Sequence, residues 1–403
     1  MTTAIPALGD TDCVPTIDEV LDRIRDLRPL LSRNAAQGEL DRRVVEESIS
    51  ALTEVGIFKI AQPRRYGGYE MNLRAQIEVA AAVAEADGGT AWVVTLCNQC
   101  AWMTGLFPER AQNDVWQSNP DAKISGVVSP TSTSVKVDGG YRVTGRWYYN
   151  SGSWHADWAV LGMPIVDDAG QPTDQGIALI PRTELTLEES WFVAGMRSSG
   201  SNCLIATNVF VPEHRVISAP AAWEGTVATE HTDEVLYRSA FTPVLALGIA
   251  APQLGMARRI LELVTVVAST KPLTFTFYSA KADSPVFRHQ IAEAAMMIDS
   301  AHFHAYRGAE MVDTAAGAGE FPDALHRARA RADAGRVVDQ VTKAIDLLLF
   351  AYGAAGFADS NDLQRLWRDS AVAARHAYIV PAVSYEMYGT AMLADGDQIT
   401  PML

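Results

Sequence analysis

The hydrophobic period of this 403-residue chain changes twice, from helical to alternating near Ile124 and back to helical near Asp233, and that order limits the folds open to it. In the first part Val45, Ile49 and Leu52 recur at i, i+4 and i+7 within a helix expected over 41–55, and Gly56 supplies its stop. Pro63 to Gly68 reads as a loop. An Ala-rich helical run over 74–103 is interrupted at Asp87-Gly88-Gly89, where Thr90 is placed to cap a new helix. In the middle part, 135–137 leads through the turn Asp138-Gly139-Gly140 into Tyr141, Val143, Trp147 and Tyr149, alternating with Arg142, Thr144, Arg146 and Tyr148, which predicts a β-hairpin. Runs 159–166, 176–181 and 203–212 read as further strands of the same small sheet domain, each ended by Pro, Gly or Asp. Beyond Asp233, Ser284-Pro285 opens a long helix on which Gln290, Ala294, Met297 and Ala301 share one stripe. The expectation is an α+β chain in three domains: 1–120 helical, 121–228 β, and 229–403 a helical bundle, with 1–14 as a tail.

With 48 acidic against 33 basic residues the formal charge is -15, which argues against a phosphate backbone or an anionic membrane as partner. Four cysteines, Cys13, Cys97, Cys100 and Cys203, make no disulfide framework. The start MTTAIPALGD lacks a basic stretch followed by an apolar one, so a reducing cytoplasm is expected. The most apolar run, 244–254, is too short to span a membrane and carries Pro252.

Familiar nucleotide and metal signatures are missing. No G-x-G-x-x-G follows a strand and no G-x-x-x-x-G-K-[ST] occurs, so oxidation of a nicotinamide cofactor is expected on another protein. There is no H-E-x-x-H; Asp299 to His302 has no second copy, and His302 and His304, two apart, point to different sides of a helix, so no metal is expected. Cys97-x-x-Cys100 sits among aromatic and apolar residues and reads as a buried pair of small side chains. A nucleophile elbow, G-x-S-x-G, is also missing.

Several segments, in order, resemble the acyl-CoA dehydrogenase superfamily: Gly56-Ile57-Phe58 with Pro63 to Gly68, Ser129-Pro130-Thr131, Gly145-Arg146-Trp147 with Asn150-Ser151-Gly152, Phe210-Val211-Pro212, and Leu366-Trp367-Arg368-Asp369. The resemblance implies an N-terminal helical domain, a central β domain and a C-terminal four-helix bundle. A dehydrogenase of this kind needs a carboxylate that removes the proton alpha to a thioester. Here the stretch after the Arg-Asp pair reads Ala374-Arg375-His376-Ala377, and 241–257 holds no acidic residue either. Trp367-Arg368-Asp369 followed by His376 is similar instead to the oxygenase branch, the oxygen-activating component of two-component phenol hydroxylases, and the Trp-to-His spacing also resembles the dibenzothiophene monooxygenases.

That resemblance implies reduced FMN or FAD, oxygen, a separate flavin reductase, a C4a-hydroperoxide and a homotetramer. It also implies roles. Ser151 would hold flavin N5 and slow loss of hydrogen peroxide, since a hydroxyl both donates and accepts. His376 would act as the base that makes a phenol nucleophilic, its ring facing the pocket from the same helix as Asp369. Arg238 and Phe241 would face flavin and substrate ring. Ser129, Pro130, Thr131 and Gly152 would line the isoalloxazine, and Arg288, Gln290, Gly353 and Gly356 would reach a neighbouring subunit's flavin. Cys100, flanked by Asn98 and Trp102, would stand where phenol hydroxylases carry a pocket histidine, which favours an apolar or polycyclic aromatic substrate. The rival readings are an acyl-CoA dehydrogenase or oxidase, an N- or S-oxygenase of the same fold, and a flavin-storing or scaffold protein without activity.

Overall fold

Two hydrophobic cores organise the computed structural model, which describes residues 14–393 and 398–402. The expected tail and Cys13 lie outside the described residues, Val14 apart. Helices α1 (Ile17–Asp41), α2 (Glu46–Glu54), α3 (Leu73–Ala84), α4 (Gly88–Thr104) and α5 (Glu109–Trp116) come first. The first of them starts with a reciprocal capping box between Thr16 and Glu19. The expected helix over 41–55 is shorter at its start: α1 runs to Asp41, and Val45 is the N-cap of α2. At the break before α4, Asp87 and not Thr90 is the cap. Its carboxylate accepts from Thr90 N at 2.8 Å and from Thr90 Oγ1 at 2.7 Å, a charged acceptor serving a helix start better than a hydroxyl three positions inside.

The β segment expected as a central β-barrel or sheet domain forms two four-stranded sheets. One joins β1 (Ile124–Val127), β4 (Trp158–Val166), β5 (Pro172–Pro181) and β8 (Val216–Ser218) in the order β1-β4-β5-β8. The other joins β2 (Ser132–Val137), β3 (Gly140–Asn150), β6 (Thr186–Glu188) and β7 (Asn202–Pro212) in the order β2-β3-β7-β6. The predicted hairpin is β2 and β3, paired through Val137 and Gly140. Tyr141, Val143 and Trp147 enter the core between the sheets, and Trp147 Nε1 donates across to Gly162 O at 2.7 Å. Tyr149 breaks the alternation and lies exposed, because the pairing of β3 with β7 shifts register between Trp147 and Asn150.

The chain then returns to helices: a short α6 (Ala219–Trp223), followed by α7 (Phe241–Ala268), α8 (Pro285–Ala318), α9 (Ala324–Tyr352), α10 (Asp362–Ala373) and α11 (Pro381–Leu393). Ser284 caps α8, with Pro285 in its first turn, as the sequence predicts. Helix α7 runs unbroken through Pro252 and is long and apolar enough to cross a membrane, yet it is interior, packed on α3, α4, α8, α9 and α10. One core therefore runs from the N-terminal helices through α7 into the bundle, and β1 docks on α4.

Candidate active site

Helix α4 carries the link between the sheets and the bundle. Trp92, in its second turn, donates through Nε1 to Ser151 Oγ at 3.0 Å, and its ring lies 5.7 Å from the His376 ring. Ser151 and His376 are 225 positions apart in sequence, by 376 minus 151, and one indole brings them together.

Ser151 is almost fully buried just beyond β3. Its Oγ lies 2.7 Å from Ser201 Oγ, which lies 2.7 Å from Ser199 Oγ, which donates to Met196 O at 2.8 Å. An indole only donates and a carbonyl only accepts, so one proton per hydroxyl fixes the direction: Trp92 to Ser151, Ser151 to Ser201, Ser201 to Ser199, Ser199 to Met196. One lone pair of Ser151 remains free. Gly152 follows at φ +73°, and a Cβ there would press on Val93 Cγ1 at 3.1 Å. Its N–H donates to Ser199 O at 3.0 Å and holds the serine relay against the strand end.

The far end of the relay is anchored by the Arg-Asp pair. Asp369 Oδ1 accepts from Met196 N at 2.5 Å, and burial, then the neighbouring Asp87, raise its carboxyl to about 7. Arg368 bonds Glu39 of α1 and donates to Ala194 O at 2.5 Å, and the Trp367 ring packs on Phe357 at 5.2 Å. These residues clamp α10 to α1 and to the 194–199 loop.

Helix α10 ends at Ala373, so His376 is not on the helix of Asp369 as the spacing suggested. It is the N-cap of the 3-10 turn Ala377–Ile379, and its Nδ1 accepts from Tyr378 N at 3.2 Å. Ala374, Arg375 and His376 use a tightening turn to leave the helix, which swings the imidazole onto Trp92. With Nδ1 accepting, the neutral ring carries its proton on Nε2. Burial, then the nearby Arg331 guanidinium, push its pKa down to about 4, well below the neutral range the sequence reading relied on.

Ser129, Pro130 and Thr131 form an exposed turn after β1, and Thr131 Oγ1 donates to Arg146 O at 2.6 Å, so this turn flanks β3, the strand that ends just before Ser151. The other expected site residues are placed elsewhere. Asn98 is buried with its amide spent on Ile57 O and Val94 O, both at 2.9 Å, and on Ala61 N at 3.3 Å. Cys100 packs its sulfur under Gly126 of β1, Cys97 packs under Gly152, and burial raises both thiols, that of Cys97 to about 12. Trp102 donates to Leu236 O at 3.1 Å and stacks with Phe241 at 5.4 Å inside the core. Arg238 Nε donates to Thr232 O at 2.7 Å and lies near Gly319. Arg288 is exposed at the start of α8, and Lys281, just before it, donates to Ala351 O and Tyr352 O at the end of α9. Arg288, Gln290, Gly353 and Gly356 thus share one end of the bundle. Among the described residues no group of three His, Cys, Asp or Glu is arranged to hold a metal.

Sequence reasoning gave no role to Trp92, Arg331 and Tyr378, and counted Ser199 and Ser201 only as part of the Gly195 to Asn202 segment that resembles the oxygenase branch. The serines had a visible signal in Ser198-Ser199-Gly200-Ser201, and Trp92 had none, since an apolar helix hides which aromatic edge is polar. The residues fit a flavin. Asn150, immediately before Ser151, is fully buried, and neither its Nδ2 nor its Oδ1 has a partner among the described residues. A donor and an acceptor left unmet beside a free serine lone pair match the alternating donors and acceptors along the isoalloxazine edge.

Comparison with known proteins follows this geometry. Residues 247–381 match the family model "Acyl-CoA dehydrogenase, C-terminal domain" and residues 22–117 match "Acyl-CoA dehydrogenase, N-terminal domain". The chain is 35% identical over 372 residues, 92% of its length and 97% of the relative's, to the flavin-dependent monooxygenase oxygenase subunit HsaA of Rhodococcus jostii strain RHA1. It is 28% identical over 383 residues, 93% of its length and 89% of the relative's, to the oxygenase component of p-hydroxyphenylacetate 3-hydroxylase of Acinetobacter baumannii. Among solved structures, XiaF from Streptomyces sp., in complex with FADH2 and glycerol, superposes with a TM-score of 0.90 at 34% identity, covering 96% of this chain and 98% of that one.

Proposed function

The chain belongs to the acyl-CoA dehydrogenase family, in its flavin-dependent monooxygenase branch, and from that premise we propose how its own residues serve as the oxygenase component of a two-component aromatic hydroxylase. The observation that carries the reading is the meeting of Ser151 and His376 on Trp92 without a free carboxylate among them. The acid nearest in sequence, Asp369, is committed to Met196 N and is not free to act as the base a dehydrogenase requires.

When bound, reduced flavin supplies two electrons that let one oxygen atom of O2 enter an aromatic C–H bond while the other leaves as water. Ser151 would hold the flavin's N5 edge with its remaining lone pair, and the relay behind it fixes which lone pair stays free. Asn150, with its amide unpartnered among the described residues, would meet the flavin's adjacent edge, and the Ser129 to Thr131 turn would offer it hydroxyl and backbone groups. His376 presents Nε2–H to the substrate's phenol oxygen. It stabilises the anionic phenol, which makes the ortho carbon nucleophilic, and a ring held at about 4 does this by donation where the sequence suggested proton removal. Trp92 and Met196 exclude water from the serines.

The finer assignments complete the proposal. FAD is favoured over FMN by the likeness to XiaF with FADH2, and a separate reductase delivers it, as the oxygenase-subunit names of the relatives imply. The protein works in the cytoplasm. It assembles as a homotetramer, supported by the exposed Phe275, Phe277, Phe303, Phe350 and Met296, apolar area that a lone protomer leaves in water. Arg288, Gln290, Gly353 and Gly356 then reach a neighbour's flavin from their common end of the bundle. The apolar-substrate expectation rested on Cys100, whose sulfur serves the contact between α4 and β1 and carries no such weight.

Ser151→Ala tests the reading. Removing one hydrogen bond to the flavin is expected to cut product per reduced flavin by about tenfold and raise hydrogen peroxide to match, while stability falls by only about 1–3 kcal/mol as Trp92 Nε1 loses its acceptor. An unchanged product-to-peroxide ratio, measured with photoreduced FAD and a phenol panel, would remove Ser151 from the flavin site.

A further inference from the structure

Arg331 lies in the interior of the bundle, and among the described residues no acid meets it. Its residue is 4% exposed, and neither Nε nor Nη1 has a hydrogen-bond partner among the described residues. A guanidinium does not deprotonate inside a protein, so its burial has to be compensated by pairing. The other buried arginines show how this fold does it: Arg327, one turn earlier on α9, donates to Pro322 O and reaches Glu224, and Arg365 pairs with Asp362 at 2.9 Å. Asp333, two residues after Arg331, is already held by His304 and Arg307 of α8. Arg331 instead lays its guanidinium over the Tyr378 ring, 4.1 Å from the centroid, and Tyr378 Oη sits 3.4 Å from Thr242 Oγ1 of α7. Tyr378 thus meets the face of the fork and also hydrogen-bonds the guanidinium, and Nε and Nη1 are left open among the described residues.

Those open donors are at the candidate site. Tyr378 is two residues from His376 and donates its backbone N–H to the imidazole, and the Arg331 charge is felt at that ring. We propose that Arg331 is a substrate-binding residue that takes an acidic oxygen of the aromatic substrate, a carboxylate or the ionised phenol, with its free N–H groups. The proposal rests on the aromatic-hydroxylase reading and sharpens it: this pocket selects anionic aromatics over neutral ones. The Tyr378 ring fixes the plane of the fork, and Thr242 fixes the Tyr378 hydroxyl, so the donors are pre-aimed before substrate arrives.

The test is equilibrium binding to the full-length protein with oxidised FAD, using 4-hydroxyphenylacetate, its methyl ester and p-nitrophenol, for wild type, Arg331→Met and Arg331→Lys. Wild type is expected to bind at least one anionic probe about tenfold or more tighter than the ester, a preference erased in Arg331→Met and partly kept in Arg331→Lys. Preference for 4-hydroxyphenylacetate identifies a carboxylate as the partner; preference for ionised p-nitrophenol alone identifies the phenolate. Arg331→Met should unfold at a temperature no lower than wild type, since it removes a buried charge that no acid meets among the described residues, and Met keeps apolar contact with the Tyr378 ring. The proposal is overturned if wild type shows no anionic preference, if Arg331→Met retains it, or if Arg331→Met lowers the unfolding temperature with the preference intact. Because these are binding measurements, failure of the hydroxylase reading shows separately, as absence of product with every phenol.

Discussion

Replacing His376 by Ala is expected to lower hydroxylated product by on the order of 10²-fold while reduced flavin and oxygen are still consumed and hydrogen peroxide is released. The imidazole touches Trp92 and not the serine relay, so the flavin side stays intact and only the donor to the substrate oxygen is lost. The pH dependence follows from the direction of the shift. His376 is held down at about 4, so it is neutral from acid pH upward, and its contribution is lost only as the pH falls through that value. Between about 5.5 and 8 the wild-type rate should therefore rise with the ionisation of the phenol used, and the midpoint should move when a more acidic phenol is substituted. A midpoint that stays fixed near 6.5 for every phenol would mean that the imidazole itself titrates there. Product yields measured alongside peroxide decide the mutational half.

Gly195→Ala carries the largest structural effect expected in the site. A Cβ on Gly195 would stand 2.1 Å from the Arg368 carbonyl oxygen, 2.3 Å from its carbon and 2.9 Å from Asp369 N, all backbone atoms that cannot swing aside. The 194–199 loop and α10 would have to part, breaking the Asp369 bond to Met196 N and the Arg368 bond to Ala194 O together. A loss of at least about 3 kcal/mol is expected in urea unfolding, with activity falling further because both the serine relay and the turn bearing His376 hang on that clamp. A variant within about 0.5 kcal/mol of wild type would show that the clamp yields freely.

The order of elements was legible because it rests on local signals: the change of period near Ile124, the Asp-Gly-Gly turn before Tyr141, Ser284-Pro285 before α8. How the strands divide between two sheets was not legible, because cross-sheet links such as Trp147 to Gly162 O are long-range and leave no periodic trace. At the candidate site, family likeness proposed Ser151 and His376, and the structure adds the indole that both of them meet and the direction of the hydroxyl chain. Asn98 and Cys100 looked like pocket residues by their place on α4, but a helix offers several faces. Asn98 faces the Ile57 carbonyl and Cys100 faces β1, while Trp92 takes the edge that meets Ser151. Arg331 was invisible because Arg327, Arg329 and Arg331 stand in one Ala-rich run, and only packing shows that Arg329 is exposed while its two neighbours are buried.

The central claim, that this chain steers the reaction of reduced flavin with oxygen, is tested most directly by rapid mixing of the protein–FADH2 complex with oxygenated buffer, without substrate. The account predicts that oxygen disappears first and the absorbance of oxidised FAD returns in a separate, slower step, and that Ser151→Ala shortens that delay. Return of oxidised FAD in step with oxygen loss, at the rate of free FADH2, would contradict it.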